Sequence, residues 1–516
     1  MTPSRERSEP ALPAADPDAP ATVAAVDLGS NSFHLIVARA TGSRLMVLDR
    51  LKDVVRLAAG LGDDKQLDPE VMQRALDCLA RFGQRLKELP ADNVRVVGTN
   101  TLRKARNGSE FIARAREVLG HEVEIISGRE EARLIYLGVS HSLEDHCDRR
   151  LVVDIGGGST EVIIGRQFRP EHMESMYIGC VGTSRQFFGD GRITATAMDA
   201  AVMAARREFE PLETGFRTRG WDSAIGASGT ILAIQDVIAA DGGSREEIGL
   251  EALEALRERL VRIGSVEDLG RISGLPGRRA PVFPGGVAIL TGLFRSLGIE
   301  RMVVSSGALR EGLLWDLLGR RHQGDIREST VDDLARRYHV DAEHARRVRD
   351  TALQLLAAVA GDWELDEREL GALLRRAARL HEIGMDIAHS QYHKHGSYLL
   401  QHMDMPGFSR TEQRRLALLV RSHRRKFPDG EFAEDDTGEL RRLSLLLRCA
   451  VILHRARSPH QAPPISRLRA DADGLELVFP PGWLREHPLT RLDLAEEERV
   501  WKAQGMQLAF SDEDAG

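Results

Sequence analysis

Cysteines are few in this sequence, and none of them stands in a Cys-x-x-Cys pair. The four cysteines, Cys78, Cys147, Cys180 and Cys449, are scattered over 516 residues. This spacing argues against a zinc ribbon and gives no sign of a disulfide framework. We therefore expect reduced thiols in a reducing compartment, most of them buried in the core.

Long hydrophobic runs are also missing. No stretch reaches the roughly 18 uncharged apolar residues that a membrane span needs, and a content of 42% hydrophobic and 29% charged residues is typical of a soluble globular protein. Residues 1–20 lack the apolar centre of a signal peptide and are rich in proline, alanine and charge, which predicts a disordered leader. The expected location is the cytoplasm, with peripheral attachment to the inner membrane left open.

The sequence lacks a strong basic excess. A net charge of -7 gives no reason to expect a nucleic-acid partner, although an average says little about one groove. Residues 319–426 hold 20 Lys and Arg against 16 Asp and Glu. Within them, the run RSHRRKF is either a track for a polyanion or a solvated loop; its basic residues are Arg421, Arg424, Arg425 and Lys426.

What the chain does have is a repeated alternation of short strands and helices. This pattern predicts two successive α/β domains, over residues 21–138 and 139–318. Strand signals then vanish, which predicts an all-helical domain over residues 319–457. A hairpin signal at Asp473-Gly474 predicts a small α+β domain over residues 465–516.

Each predicted α/β domain opens with an apolar run that ends in Asp-x-Gly and a turn. Asp27 precedes Gly29, and Asp154 precedes Gly156. Glycine and serine turns let backbone N–H groups converge on phosphate oxygens, and carboxylates beside a phosphate suggest Mg²⁺. Either turn alone is equally a tight hairpin with a capping aspartate, but the pair predicts a phosphate-binding cleft between two related domains.

Two further turns join a strand to a helix, at residues 226–230 (GASGT) and 305–312 (SSGALREG). A helix N-terminus adds a partial positive charge to an anion site, so Ser228 and Gly229 are predicted phosphate contacts. All four turns are expected to open into one cleft.

A glutamate and an arginine are candidates for the chemistry. In SGREEAR, Ser127 and Glu130 form a capping-box pattern, which leaves Glu131 free to face the cleft and to take a proton from water. The alternative for Glu131 is a favourable position at the helix N-terminus. Arg103 follows a strand and a threonine-rich turn, where it either clamps a phosphate or forms a surface salt bridge.

Six motifs in one order carry a resemblance to a known family. They are VDLGSNSFHLIVAR, VVGTNTLR, IISGREEARLIYLGV, VDIGGGSTEVIIG, IGASGT and SSGALREGLL. Together they resemble the exopolyphosphatase and guanosine pentaphosphate phosphatase family, and the likeness continues through ARLHEIG and FPPGWL to the long bacterial members.

The resemblance implies an α/β fold of two actin-like domains around a cleft, related to the sugar kinases. It places the catalytic glutamate on Glu131 and the metal and phosphate ligands on Asp154 and Glu161, with Asp27 as a further metal candidate from the turn pattern. It also implies Mg²⁺ as cofactor and a homodimer. The phosphate-binding turns that it implies are Gly29, Ser30, Asn31, Ser32, Gly156, Gly157, Gly158, Ser159 and Thr160.

The expected activity is exopolyphosphatase, the removal of terminal orthophosphate from inorganic polyphosphate. The alternative within the family is cleavage of the 5′-terminal phosphate of guanosine pentaphosphate, alone or as a second activity. An ATP-binding kinase, an actin-like switch or an alarmone sensor of the same fold are remoter alternatives, and the isolated glutamate in SGREEAR favours hydrolysis over them.

The helical region resembles an HD-type phosphohydrolase domain around His344 and His381. It departs from the metal-binding pattern because Glu382 follows the second histidine and no final aspartate can be placed. A relic that binds the rest of an anionic substrate is the favoured interpretation. The competing one is a metal site drawn from His344, His381, His393, His395 and His423.

Overall fold

The computed structural model describes residues 21–41, 44–143, 148–321, 325–432, 438–457 and 464–513. The predicted leader and Cys147 lie outside the described residues. The chain divides into two compact units, Met1–Asp325 and Ile326–Gly516. The three described cysteines are buried and unpaired, as predicted.

The first unit begins with a five-stranded sheet in the order β3-β2-β1-β4-β5. Its strands are β1 (Ala21–Leu28), β2 (Phe33–Thr41), β3 (Arg44–Asp53), β4 (Val94–Gly98) and β5 (Val123–Ile125). Its helices are α1 (Pro69–Leu86), α2 (Asn100–Lys104), α3 (Gly108–Leu119) and α4 (Gly128–Ser140). The first three strands are antiparallel, whereas β1, β4 and β5 run parallel.

A second, six-stranded sheet follows in the order β10-β11-β9-β6-β7-β8. Its strands are β6 (Arg149–Ile155), β7 (Thr160–Arg166), β8 (Arg169–Met176), β9 (Ser223–Ala227), β10 (Glu247–Gly249) and β11 (Arg301–Ser305). Its helices are α5 (Cys180–Phe188), α6 (Ala195–Arg219), α7 (Gly229–Ala240), α8 (Leu250–Ile263), α9 (Phe283–Leu297) and α10 (Leu309–Arg321). The order β8-β7-β6-β9-β11 repeats that of the first sheet, so the duplicated turn reflects a duplicated topology.

The last helix of each half packs across to the other half. Helix α4 lies against β7 and β8 of the second sheet, and α10 lies against β1, β2 and β4 of the first. One apolar cluster accordingly joins Val23 and Ile36 of the first sheet to Leu313 and Leu317 of α10. The helix that carries Glu131 is therefore fixed by both halves.

A buried ion network ties these two helices together. Asp316 of α10 accepts hydrogen bonds from Arg133 of α4, Arg95 of β4 and, at 2.9 Å, from Arg320. Arg133 also donates to the Glu130 carboxylate at 2.8 Å. Burial alone would raise the pKa of the Asp316 carboxyl, but Arg133, Arg95 and Arg320 hold it well below its usual range.

We predict that Asp316→Asn lowers the free energy of unfolding by about 3 kcal/mol or more, because it leaves buried arginines without their charge partner. The depressed pKa sets the sign: the stabilisation is present above the unfolded-state pKa near 4 and is lost as the pH falls through the folded value. Urea unfolding at pH 7 measures the difference. Asp190→Asn, at an exposed aspartate, is the control, with an expected change within about 0.5 kcal/mol.

The second unit is mostly helical. Its helices are α11 (Ile326–Arg337), α12 (Ala342–Val359), α13 (Glu367–Leu380), α14 (Tyr392–His402), α15 (Arg410–Ser422), α16 (Glu439–Leu453), α17 (Trp483–Glu486) and α18 (Pro488–Ala503). Strands β12 (Arg467–Asp471), β13 (Gly474–Phe479) and β14 (Gln507–Asp512) form a small sheet, with the predicted hairpin between the first two. The C-terminal elements share one apolar core with the helices, which includes Trp363 and Trp501. A buried ion pair between Arg448 and Glu497, at 2.6 Å, joins α16 to α18.

One stretch, Gly277–Leu297, is long and apolar enough to cross a membrane by length and composition. Its most apolar window is 83% buried within the structure, where it forms the central helix α9 of the second half. Burial of this kind is typical of a core helix.

Candidate active site

The two Asp-x-Gly hairpins meet at the carboxyl ends of β1 and β6. Asp27 lies opposite His34 in the first hairpin, and Asp154 lies opposite Glu161 in the second. The turns that follow lie against each other, since a Cβ on Gly157 would stand 3.1 Å from the Cβ of Ser30. This close approach leaves little room for a larger residue at Gly157.

The turns open into a cavity of about 150 Å³ within the first unit. All four predicted turns contribute to its wall, together with Glu131, as the sequence led us to expect. The wall includes Asp27, Gly29, Ser30, Asn31, Ser32, His34, Glu131, Asp154, Gly156, Gly157, Ser159, Ser228, Gly229, Arg279 and Arg310.

Four predicted ligands do not contribute to that wall: Arg103, Gly158, Thr160 and Glu161. The Thr160 hydroxyl is fully buried and donates to the carbonyl oxygen of Ile178 at 2.7 Å. The Gly158 carbonyl accepts from the Asn100 amide at 3.1 Å. Through these hydrogen bonds, Thr160 and Gly158 stabilise the conformation of the turn.

Glu131 lies in the first turn of α4. The Ser127 hydroxyl caps this helix by accepting from the Glu130 N–H at 3.1 Å, as predicted. The Glu131 side chain is 10% exposed, and its Oε2 accepts from Nη1 of Arg103 at 2.8 Å. Arg103 also donates to the Ile126 carbonyl at 2.9 Å. Arg103 thus orients Glu131, a contact that the sequence analysis did not predict; the phosphate clamp stays a prediction.

The cleft concentrates carboxylates. Burial, then the charge of Glu131, raises the pKa of Asp27 to about 7. The same two causes raise the pKa of Asp154 and of Glu161 well above their usual range, although the Ser175 hydroxyl donates to Glu161 at 2.7 Å. In addition, Oδ1 of Asp27 is buried and has no hydrogen-bond partner in the described part of the chain. Enclosed oxygen ligands that repel one another fit a hard divalent cation such as Mg²⁺.

We predict that the metal-free protein loses stability as the pH rises from about 4 to about 7. A raised folded-state pKa stabilises the protein below the unfolded value, and that contribution disappears as the pH passes through the folded value. Thermal unfolding in EDTA and in Mg²⁺, at pH 5 and pH 8, measures this. We expect Mg²⁺ to raise the melting temperature more at pH 8 than at pH 5. Equal shifts at the two pH values would contradict the cation site.

Four cations, Lys52, Arg278, Arg279 and Arg310, form a cluster around His34, which lines the same cavity. Arg310 donates to Nδ1 of His34 at 3.0 Å. Burial, followed by Arg310, Lys52, Arg279 and Arg278, lowers the pKa of His34 to about 2. Burial together with these arginines also lowers the pKa of Lys52 to about 8. Within the described part of the chain, the structure records no ion pair for Lys52, Arg278 or Arg279, so this cation cluster is suited to an anionic ligand.

In the second unit, the predicted basic track lines a cavity of about 880 Å³. Its wall includes His393, Lys394, Arg421, Arg424, Arg425 and Lys426. Arg421 pairs with Glu431 at 3.3 Å, and the Arg424 guanidinium lies 4.4 Å from the centre of the Tyr392 ring. The other basic residues of this run extend the positive charge of the wall.

Comparison with known proteins places these features in a family. The model of the Ppx/GppA phosphatase family matches residues 35–321, and that of domain III of the Ppx/GppA phosphatases matches residues 326–498. The chain belongs to the Ppx/GppA phosphatase family. The family predicted from the motifs is therefore confirmed.

Two relatives in this family are similar over nearly their whole length. A protein of Aeromonas hydrophila is 42% identical over 483 residues, which cover 93% of this chain and 97% of the relative. A protein of Vibrio cholerae is 42% identical over 477 residues, 92% of this chain and 95% of the relative. Both are named guanosine-5'-triphosphate,3'-diphosphate pyrophosphatase.

Solved structures of Ppx/GppA proteins match the first part of the chain. The crystal structure of an exopolyphosphatase from Cytophaga hutchinsonii is 25% identical with a TM-score of 0.53 and covers 58% of this chain and 98% of its own. That of an exopolyphosphatase-like protein is 26% identical with a TM-score of 0.54 and covers 59% and 99%. The predicted actin-like α/β fold is confirmed, whereas the HD-like character of the helical unit stays a prediction.

Proposed function

We propose that the chain is a phosphoric anhydride hydrolase that removes the 5′-terminal phosphate of guanosine 5′-triphosphate,3′-diphosphate. The observation that carries this proposal is one cavity whose wall combines the paired glycine turns, the carboxylates of Asp27, Glu131 and Asp154, and the cations Arg279 and Arg310. The two relatives at 42% identity are named for activity on guanosine 5′-triphosphate,3′-diphosphate, and not for the polyphosphate activity that the sequence analysis preferred.

The turn amides would hold the 5′-phosphates in line with a water molecule. Glu131 accepts the water proton while the water oxygen forms a bond to the terminal phosphorus. The bond from that phosphorus to the bridging oxygen breaks, and the leaving oxygen stays with the penultimate phosphate. Asp154, Asp27 and Glu161 would hold Mg²⁺, which supplies charge compensation for the phosphates. Arg103 keeps the Glu131 carboxylate aimed at the cleft.

The cation cluster provides a reason for a substrate with a second diphosphate. Burial first, and then the charges of Arg310, Lys52, Arg279 and Arg278, lowers the pKa of His34, which is consistent with four cations close to this residue. A 3′-diphosphate in that region would relieve their mutual repulsion. The 5′-phosphate chain would then occupy the glycine turns.

Arg278→Ala is accordingly expected to raise the KM for guanosine pentaphosphate about tenfold, the effect of removing one charge-assisted hydrogen bond. The KM for GTP, which lacks the 3′-diphosphate, should change little. Arg271→Ala, at an arginine that is 88% exposed, is the control. An equal increase of KM for both nucleotides would contradict a 3′-diphosphate subsite.

The principal experiment measures orthophosphate release from guanosine pentaphosphate and from long-chain polyphosphate in parallel, with Mg²⁺ and with EDTA. We expect Mg²⁺-dependent release from the pentaphosphate, giving the tetraphosphate. Release from polyphosphate alone would reverse the substrate assignment. Tight ATP or alarmone binding without release from either substrate would contradict the hydrolase and favour a kinase or a sensor.

Polyphosphate remains the second candidate because of the basic cavity of the helical unit. Changing Arg424, Arg425 and Lys426 together to glutamine should weaken polyphosphate hydrolysis and leave pentaphosphate hydrolysis unchanged. If both rates are unaffected, the basic cavity has no part in substrate binding.

A further inference from the structure

Three buried side chains of the helical unit bring metal-binding atoms together. His344 lies in the first turn of α12, and His381 and Glu382 follow the end of α13. Their exposed fractions are 3%, 0% and 5%. Oε1 of Glu382 lies 3.9 Å from Nε2 of His344 and 3.9 Å from Nε2 of His381, and one ligand atom of each residue lies within 4.8 Å of the others.

The hydrogen bonds of the histidines show which ring nitrogen is available. A carbonyl oxygen can only accept, so Nδ1 of His381, which is 2.7 Å from the Ala378 carbonyl, carries the proton. Its Nε2 then presents a lone pair, and this atom is buried with no hydrogen-bond partner among the residues that the structure describes. A ring locked by a carbonyl at one nitrogen and open at the other is the arrangement found in histidines that ligate metals.

His423 repeats this arrangement beside the first three residues. Its Nδ1 donates to the Val420 carbonyl at 2.6 Å, and its buried Nε2 has no hydrogen-bond partner within the described ranges of the chain. The ring centres of His423 and His381 are 5.3 Å apart. A buried acceptor that lacks a partner costs free energy, and two such nitrogens in one cluster point to a shared ligand.

We propose that His344, His381 and Glu382 bind a divalent transition metal ion of the zinc class, with the imidazole of His423 adjacent to these three residues. Two imidazoles and one carboxylate suit Zn²⁺ and neighbouring first-row ions, whereas Mg²⁺ prefers oxygen ligands. This site is separate from the carboxylates of the active-site cleft, and it does not depend on the proposed function. His395 takes no part in the three-residue group.

Arg457 competes with the metal for Glu382. Its Nη2 forms an ion pair with Oε1 of Glu382, and its Nη1 lies 3.6 Å from the Asp341 carboxylate. The Arg457 side chain is 42% exposed, so it can leave Glu382 without being trapped in the core. Asp341 remains as a partner for the displaced guanidinium. The metal ion and the Arg457 guanidinium therefore compete for the same carboxylate oxygen.

The test is calorimetric titration of Zn²⁺ into the EDTA-treated and dialysed full-length protein, with Mg²⁺ present to occupy oxygen sites. We expect one tight equivalent in the wild type, an affinity at least about tenfold lower in Glu382→Gln and His381→Gln, and a higher affinity in Arg457→Gln. His402→Ala removes an exposed histidine and is the matched control. Co²⁺ absorption provides a second readout, because loss of a ligand changes the visible spectrum.

Absence of a tight equivalent in the wild type would overturn the site. Equal affinity in the wild type and in both ligand variants, with native far-ultraviolet circular dichroism, would assign the binding to surface groups and overturn it as well. An unchanged affinity in Arg457→Gln would contradict the competition for Glu382.

Discussion

Glu131→Gln is expected to reduce orthophosphate release by about 10²- to 10⁴-fold, the usual contribution of a general base. The amide keeps the size of the side chain but cannot take the proton of the attacking water. Substrate binding should persist, because the glycine turns and the cation cluster are unchanged. The measurement is kcat and KM for guanosine pentaphosphate with Mg²⁺ in excess.

The control for this variant is Glu117→Gln, an exposed glutamate on α3, for which we expect wild-type kinetics. A folded Glu131→Gln protein that keeps more than about a tenth of the wild-type kcat would exclude Glu131 as the base. Arg103→Lys provides a further check, because weaker orientation of Glu131 should lower kcat more than it raises KM.

Asp154→Asn is the second large effect. We expect at least about a 10²-fold loss of activity and loss of the Mg²⁺ dependence, since Asp154 is a predicted metal ligand at the centre of the carboxylate group. The same change should raise the melting temperature of the protein in EDTA, because burial and the charges of Glu131 and Asp27 disfavour the Asp154 carboxylate. Activity and metal-free stability should therefore change in opposite directions.

Asp63→Asn, at an exposed aspartate of the first unit, should alter neither property. If Asp154→Asn lowers both activity and metal-free stability, Asp154 has a structural role in the hairpin and the predicted metal site is wrong. Unchanged Mg²⁺ dependence in an active variant would lead to the same conclusion.

The sequence predicted those parts of the site that local pattern specifies. Asp27 and Asp154 could be found because a strand end, an aspartate and a glycine turn are neighbours in the chain. Glu131 could be separated from Glu130 because a capping residue at Ser127 assigns the two glutamates to different sides of a helix. In the structure Glu130 pairs with Arg133, while Glu131 faces the cleft.

The cation cluster could not be predicted in the same way. Lys52 lies beside His34 in the first sheet, whereas Arg278, Arg279 and Arg310 come from more than 200 residues further along the chain, so only the packing of the two halves brings the four cations together. The contact between Arg103 and Glu131 likewise joins α2 to α4. Neither sequence motif indicates that these two helices lie close together. Arg310 lies in the motif SSGALREG, but the motif does not indicate that its side chain contacts His34 of the first sheet.

The crossing of α4 and α10 bears on how this chain can be divided. A fragment that stops after α4 would leave β1, β2 and β4 without the helix that covers them, and it would expose Val23 and Ile36 to water. The corresponding fragment of the second half would lack α4 over β7 and β8. We therefore expect that neither α/β half of the first unit is soluble when it is expressed by itself. A split version should regain activity only when both pieces are produced together.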